Sequence, residues 1–386
     1  VAQVLINKVK SKCCGIKGRF IPILFMMGTL LFASGCSDEG KEISYLPTVE
    51  LSGANLSFTA LGGSQILTAT SQSPIKVTVQ SDWCRVTKID GNKITIEVDE
   101  NINAEGRNAR VLVSDGTSDV YAVVMQEGFY LNYDSSNTII RMAKNGETVS
   151  KEFSGPLPIK IEVPENAQSW LTVTQKDDGL SFVATPNQNA PRGTRVVITS
   201  GPKKIEYEVL QYDLSELTSS VMAHIQLHWL DKDIPLKIKT SIKQSKNNSW
   251  NIDLSGIFSL VGIEHSLLLP AVYNENTGVF RIAAGQNLGL APKDFGDGIY
   301  ISTALLGGGY YSWSTSVSVD LVTTLQDDGK IVLSMQDNGS YDNPLEAFML
   351  LFFNGKDFTG NALNRRFTMS ISSMKFYPAI YFPKED

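Results

Sequence analysis

The sequence predicts an all-β protein: two small antiparallel sandwiches in series, followed by a larger antiparallel β-barrel or barrel-like sheet. Three observations lead there. Short runs alternate apolar and polar residues, as in Lys93-Ile94-Thr95-Ile96-Glu97-Val98 and Arg110-Val111-Leu112-Val113, which is the period of a strand with one buried face. Gly, Asn, Asp and Pro interrupt these runs at close spacing, where an antiparallel sheet needs its turns. The stretch from Thr48 to Leu210 also repeats itself once.

The repeat sets the organisation of the first half. Trp83 and Trp170 stand 87 residues apart, and Arg107-Asn108-Ala109-Arg110-Val111 returns 85 residues later as Arg192-Gly193-Thr194-Arg195-Val196. Val124-Met125-Gln126 returns as Val209-Leu210-Gln211 at the same spacing of 85. A unit of that size suits one immunoglobulin-like sandwich of about seven strands. Residues 48–128 and 129–212 are therefore expected to be two such units.

The first unit carries Trp83, then Gly91 to Val98 as Gly-x-x-Ile-x-Ile-x-Val, then Asn101, Arg107, Arg110 and Val113, and ends in Gln126-Glu127-Gly128. In this it resembles a BACON domain. The second unit keeps Trp170, Asn187, Arg192, Arg195 and Gln211, with Tyr212-Asp213 where the family has Glu-Gly. The resemblance implies immunoglobulin-like sandwiches on exported Bacteroidetes proteins, a family proposed to bind carbohydrate and often resembling a spacer. The residues themselves favour the spacer. One tryptophan per unit, at a strand start, suits a core better than a sugar platform, and Gln126 and Gln211 suit satisfaction of backbone at a strand end.

Residues 213–386 lack the repeat. His224-Ile225-Gln226-Leu227-His228-Trp229-Leu230, Leu236 to Ile242, Trp250 to Leu254 and Thr315 to Val322 alternate as strands, after a stretch from Leu214 that can start as a helix. Asn274-Glu275-Asn276-Thr277-Gly278 and Asp327-Asp328-Gly329-Lys330 mark turns, the second a strong hairpin signal. One antiparallel sheet of about eight or more strands, closed or nearly closed, is expected. Gly278-Val279-Phe280-Arg281-Ile282 and Gly285-Gln286-Asn287-Leu288-Gly289 resemble the lipocalin-like barrel domains of other Bacteroidetes lipoproteins, which implies an architecture and no activity.

The N-terminus bears on location. Five basic residues (Lys8, Lys10, Lys12, Lys17, Arg19) and no acid precede the apolar run Phe20 to Phe32, and Ala33-Ser34-Gly35-Cys36 follows. Charge, short apolar core and small-residue exit describe an export signal. The run is too short for a bilayer, which needs about 20 residues. Ending on cysteine, residues 1–35 resemble a lipoprotein signal, which implies acylation of Cys36 and an outer-membrane location. Ala33 stands where such signals usually carry Leu. Ser37-Asp38-Glu39-Gly40 opens the linker 36–47 and resembles a short form of the acidic tag that directs export to the outer surface.

Charge narrows the partners. Residues 1–35 hold five of the 34 basic residues and none of the 40 acidic ones, so 29 basic face 40 acidic in the remainder, a net of −11. Nucleic acid and anionic lipid both call for basic surface, which leaves the covalent lipid as the membrane attachment. Cys13 and Cys14 leave with the signal and Cys36 takes the lipid, so Cys84 alone remains and no internal disulfide is expected.

Catalytic patterns are weak. His224 and His228 could share a metal on a helix, but on a strand they stand about 13 Å apart; no metal site and no cofactor are expected. Asp294, Asp297, Asp342 and Glu346 could pair across a cleft as glycosidases require, although Asp294-Phe295-Gly296-Asp297-Gly298 reads more simply as a turn. The best binding candidate is Gly307-Gly308-Gly309-Tyr310-Tyr311-Ser312-Trp313. Its glycines give a mobile loop and Tyr310, Tyr311 and Trp313 give flat faces for sugar C–H groups. In the alternative, the glycines form a bulge and the aromatics fill the barrel. The expected function is glycan binding without catalysis, with a glycoside hydrolase and a purely structural or adhesion component as alternatives.

Overall fold

The computed structural model describes residues 48–382, apart from 178, 247 and 360–362. Cys36 and the expected signal and linker lie outside the described residues. No described helix is long and apolar enough to cross a membrane.

The first sandwich is built from β1 (Val49–Ser52), β2 (Asn55–Phe58), β3 (Gly63–Ser71), β4 (Lys76–Val79), β5 (Cys84–Asp90), β6 (Lys93–Val98), β7 (Arg107–Ser114) and β8 (Asp119–Gln126). Its two sheets have the orders β1-β3-β6-β5 and β2-β8-β7-β4. The alternation seen in the sequence puts Ile94, Ile96, Val111, Val113, Ala122 and Val124 between them. The second sandwich follows with β9 (Asn132–Tyr133), β10 (Ile139–Met142), β11 (Glu147–Ser154), β12 (Ile159–Glu162), β13 (Leu171–Lys176), β14 (Gly179–Ala184), β15 (Arg192–Ser200) and β16 (Lys203–Gln211). Its sheets, β13-β14-β11-β9 and β10-β16-β15-β12, repeat the first plan strand for strand.

Each sandwich has eight strands rather than the seven expected. The first strand of each unit is divided: β1 pairs antiparallel with β3, whereas β2 crosses to the other sheet and runs parallel to β8. The second unit does the same with β9 on β11 and β10 on β16. Dividing the strand in this way lets one stretch of chain form an edge strand of each sheet and tie the two sheets together.

The C-terminal region opens with α1 (Leu214–Thr218), capped where Asp213 N donates to Glu216 Oε2 at 3.0 Å. Then come β17 (Val221–Trp229), β18 (Lys232–Thr240), β19 (Ile242–Lys246), β20 (Ser249–Asp253), the single turn α2 (Gly256–Ser259), β21 (Leu268–Asn274), β22 (Val279–Ala283), β23 (Asn287–Leu290), β24 (Ile299–Gly307), β25 (Tyr310–Ser312), β26 (Ser318–Leu325), β27 (Ile331–Asp337), β28 (Leu345–Asn354) and β29 (Met369–Pro378). Both turns named in the sequence join neighbouring strands, β21 to β22 and β26 to β27.

Of the two forms expected, closed or nearly closed, the topology corrects the closed one. These strands form one 13-stranded sheet that branches and does not close on itself. Strand β29 takes β17 along one edge, and on the other edge takes β27 near Phe376 and β28 near Ile371. The ends stay open because β18 pairs with β17 alone and β19 with β20 alone. Pro235 in β18 lacks an N–H, and Lys237, Lys239, Lys243 and Lys246 line the two edges, features that discourage further pairing. The interior is filled by side chains. Trp229 stacks on Phe295 at 6.0 Å and Phe295 on Phe352 at 5.4 Å, with Phe258, Phe280, Phe348 and Phe376 fully buried around them.

Candidate ligand-binding groove

With the inside filled, a concave surface of this region lies on the outer face of β20, β21, β22 and β26. Ile252, Leu269, Ala271, Phe280, Ile282, Val319 and Leu321 point into the core. Period-two alternation therefore sends Asn251, Pro270, Val272, Arg281, Ala283 and Asp320 outward. They line a groove of about 550 Å³, together with Ser245, Ser249 and Gln286, within the range of ligand sites. One straight cross-strand row runs Ser249, Val272, Arg281, Asp320.

Arg281 and Asp320 sit opposite each other in the ladder and form a two-point ion pair. Arg281 Nε donates to Asp320 Oδ1 and Nη2 to Oδ2, both at 2.9 Å. Asp320 is only 8% exposed, and Asn338 Nδ2 also donates to its Oδ1 at 2.9 Å. Asn338 is itself held, because Ser340 N donates to its Oδ1 at 3.0 Å. The hydrogen bonds from Arg281 to Asp320, reinforced by the carboxylate charge, push the guanidinium pKa further up. On the far side, Gln286 Nε2 donates to the carbonyls of Pro270 and Ala283 at 3.0 and 2.9 Å, pinning the turn after β22 to the groove wall. Trp250 turns its ring inward, edge-on to Phe280 at 5.4 Å and to Tyr273 at 6.0 Å.

The residues singled out in the sequence are distributed elsewhere. Tyr310 (73% exposed), Tyr311 and Trp313 are exposed, on or just after β25, and none of them lines the groove. Trp313 packs edge-on against Phe353 at 6.1 Å, part of a small apolar cluster on the back of β24 and β28. The three glycines make a tight connection. Gly308 and Gly309, at φ 57° and 77°, make the two-residue turn from β24 to β25. Gly307 sits at a register shift, where a Cβ would lie 2.6 Å from the Pro344 carbonyl oxygen. The bulge named as the alternative is thus present.

His224 and His228 both lie on the outward face of β17. His224 sits between Tyr377 at 4.5 Å and Phe382 at 5.7 Å, and burial together with Lys237 and Lys375 lowers its pKa. His228 Nδ1 is 2.8 Å from Asp233 Oδ1. Among the described residues no three His, Cys, Asp or Glu side chains gather as a metal site requires. Asp294, Asp297, Asp342 and Glu346 are all exposed, the first two beside the turn before β24 and the last two around the start of β28. Cys84 is buried, and burial raises its thiol pKa despite Arg107 and Arg85.

The motif residues of the two sandwiches build the same box twice. Arg107 lies over the Trp83 ring at 4.4 Å and donates Nε to Gln126 Oε1 at 2.7 Å. Arg192 lies over Trp170 at 4.6 Å and donates Nε to Gln211 Oε1 at 2.8 Å. Gln126 Nε2 reaches the Ala60 and Asp99 carbonyls, and Gln211 Nε2 those of Ala143 and Thr185. Asn101 and Asn187 donate Nδ2 to loop carbonyls and accept from the amides of Asn103 and Asn189. The glutamines therefore do satisfy backbone at strand ends, and each indole carries a guanidinium on one face.

Residues 68–127 match the BACON family model, described as "Putative binding domain, N-terminal". The first sandwich is a BACON-like β domain. No curated protein matches the chain. Among solved structures, a Bacteroides ovatus GH5 xyloglucanase in complex with a XXXG heptasaccharide is 24% identical over 25% of this chain and 22% of its own, with a TM-score of 0.20. A three-immunoglobulin-domain fragment of titin is 11% identical over 52% of this chain and 90% of its own, at 0.23. An endo-fucoidan hydrolase from glycoside hydrolase family 107 is 11% identical over 41% and 32%, at 0.22. The chain spans about a fifth of the length of the xyloglucanase, and superpositions this distant carry no weight for function.

Proposed function

We propose that the chain is a lipid-anchored protein of the outer cell surface that binds glycan without catalysis, its two sandwiches acting as a spacer below the C-terminal sheet. One observation carries this reading: an open groove whose apolar positions, Pro270, Val272 and Ala283, lie beside a fixed guanidinium. Apolar patches for sugar C–H faces beside rigid polar donors are what a carbohydrate needs. The sandwich tryptophans support a spacer role, since Arg107 and Arg192 already occupy a face of each ring. Tyr310 and Tyr311, exposed on their own turn, offer a second contact surface.

Affinity electrophoresis of the purified chain through a panel of polysaccharides tests it. At least one glycan should retard the chain, and Val272→Arg, a change at an exposed position that fills the groove, should abolish the retardation. Retardation unaffected by Val272→Arg but lost in a Tyr311→Ala, Trp313→Ala variant would move the site to the aromatic turn. A chain that no glycan retards would favour the adhesion reading, which the filled interior of the C-terminal sheet also suits. The anchor is tested separately: Cys36→Ser should release the protein from the membrane fraction.

A further inference from the structure

We propose that the groove selects glycans bearing an anionic group, carboxylate or sulfate, received by the free edge of the Arg281 guanidinium. This rests on the glycan reading above and names its ligand class.

Among the residues lining the groove, Arg281 is the one cation and Asp320 the one acid. Asp320 is not available to a ligand. It is buried, Oδ1 accepts from Arg281 Nε and Asn338 Nδ2, and Oδ2 accepts from Arg281 Nη2. The guanidinium is in the opposite condition. Its side chain is 60% exposed, and Nη1 makes no hydrogen bond among the described residues.

A guanidinium has two edges that can each meet a pair of oxygens. Asp320 occupies the Nε–Nη2 edge, so the Nη1–Nη2 edge faces outward, already oriented. That edge matches two oxygens of a carboxylate or sulfate, a fork that an ammonium group cannot offer. Because Asp320 holds the side chain in place, little rotamer freedom remains to be lost on binding. Val272, directly across the ladder from Arg281, supplies apolar surface beside the anion position.

A cross-strand ion pair can also serve the sheet alone. Lysine keeps the charge beside Asp320 but has no second edge to offer a ligand, so Arg281→Lys, read for binding and for folding, separates the two roles. The probes are polygalacturonate against its methyl ester, and dextran sulfate against dextran, each run through affinity electrophoresis with the full chain. Because the chain carries a net charge of −6, non-specific attraction to polyanions is disfavoured.

The expected result is retardation by one of the anionic polymers at least tenfold stronger than by its neutral counterpart. Polygalacturonate would indicate carboxylate and dextran sulfate would indicate sulfate. Arg281→Lys should lose at least tenfold in that retardation while the chain stays folded, with the parent's circular dichroism spectrum and a cooperative melt. Equal retardation by charged and neutral forms, or an Arg281→Lys variant that binds as the parent does, overturns the inference and leaves glycan binding standing. Absence of retardation by these four polymers and by every other glycan tested removes both.

Discussion

The two sandwiches share one strand plan and one Trp–Arg–Gln–Asn box, yet the same outer face has opposite fates in them. In the second, the face of β15 and β16 is covered. Arg195 Nη2 donates to the Leu325 carbonyl at 3.1 Å and Nη1 meets Asp327 at 3.3 Å. Leu325 N donates to Glu208 Oε1 at 3.1 Å, and Leu210 is wholly buried in the core of the C-terminal sheet. In the first, Arg110 occupies the place of Arg195 with no ion pair among the described residues, Tyr121 is 56% exposed, and Met125, in the place of Leu210, is 45% exposed. A box repeated in both units thus coexists with an exterior free to be used or left bare. Inside and outside residues alternate along each strand and answer to different neighbours.

The sharpest way to break this comparison is to truncate the matched apolar pair. Leu210→Ala should cost about 2–5 kcal/mol, as buried leucines do, whereas Met125→Ala should stay within about 0.5 kcal/mol, as exposed positions do. Urea denaturation reads both. Equal costs would mean that the first face is covered in solution.

The boxes should behave alike where the faces do not. Arg107→Ala and Arg192→Ala each leave a buried glutamine oxygen without its donor, at about 1–3 kcal/mol apiece. Values differing by more than about 1 kcal/mol between copies would deny that the box is one device used twice.

Gly193 sharpens the contrast at closer range. An added Cβ there would lie 2.9 Å from the Leu325 side chain and from the Val209 carbonyl oxygen. Gly193→Ala should therefore cost about 1–3 kcal/mol through overpacking, while Asn108→Ala, at the same register in the first copy, should be near neutral. The comparison is made by thermal melting.

The smallest expected effect is in pH. Burial raises the Glu208 pKa, against the opposing pull of the Leu325 amide and Arg195. A carboxyl raised on folding contributes stability that is fully present below its unfolded pKa and is lost as pH rises through the folded value. Glu208→Gln should flatten that part of the stability–pH curve, in the range above about pH 4.3, the unfolded value. A Glu208→Gln curve parallel to that of the parent would mean the group titrates as it does in the unfolded chain. Val123, at the equivalent position in the first copy, has no proton to contribute.

Much of the fold was legible in the residues. Lys93–Val98 is a strand over its predicted length, Asp327-Asp328-Gly329-Lys330 joins two paired strands, and Leu214 begins a helix that yields to a strand before His224. The box was legible as a motif, and its structural use of glutamine was expected. The division of each first strand was not, because its second half finds a partner nearly seventy residues away, as Leu56 does with Val124. The groove left no local signal either. Arg281 and Asp320 are 39 residues apart and read singly as ordinary polar positions on exposed faces. The glycine and aromatic run drew attention because it is dense in sequence, whereas the groove is assembled from residues dispersed over five strands.

What the sequence alone determined was the all-β class, the duplicated unit and the residues that face inward. These depend on a period of two and on turn chemistry, which operate over a few neighbouring residues. What tertiary structure decided was whether the last sheet closed, which copy of a repeated face was covered, and where Arg281 met Asp320. Those outcomes depend on contacts such as Arg195 with Asp327, 132 residues apart. They follow from how whole sheets bury their remaining apolar faces against one another, and that competition is settled only when all the strands are in place.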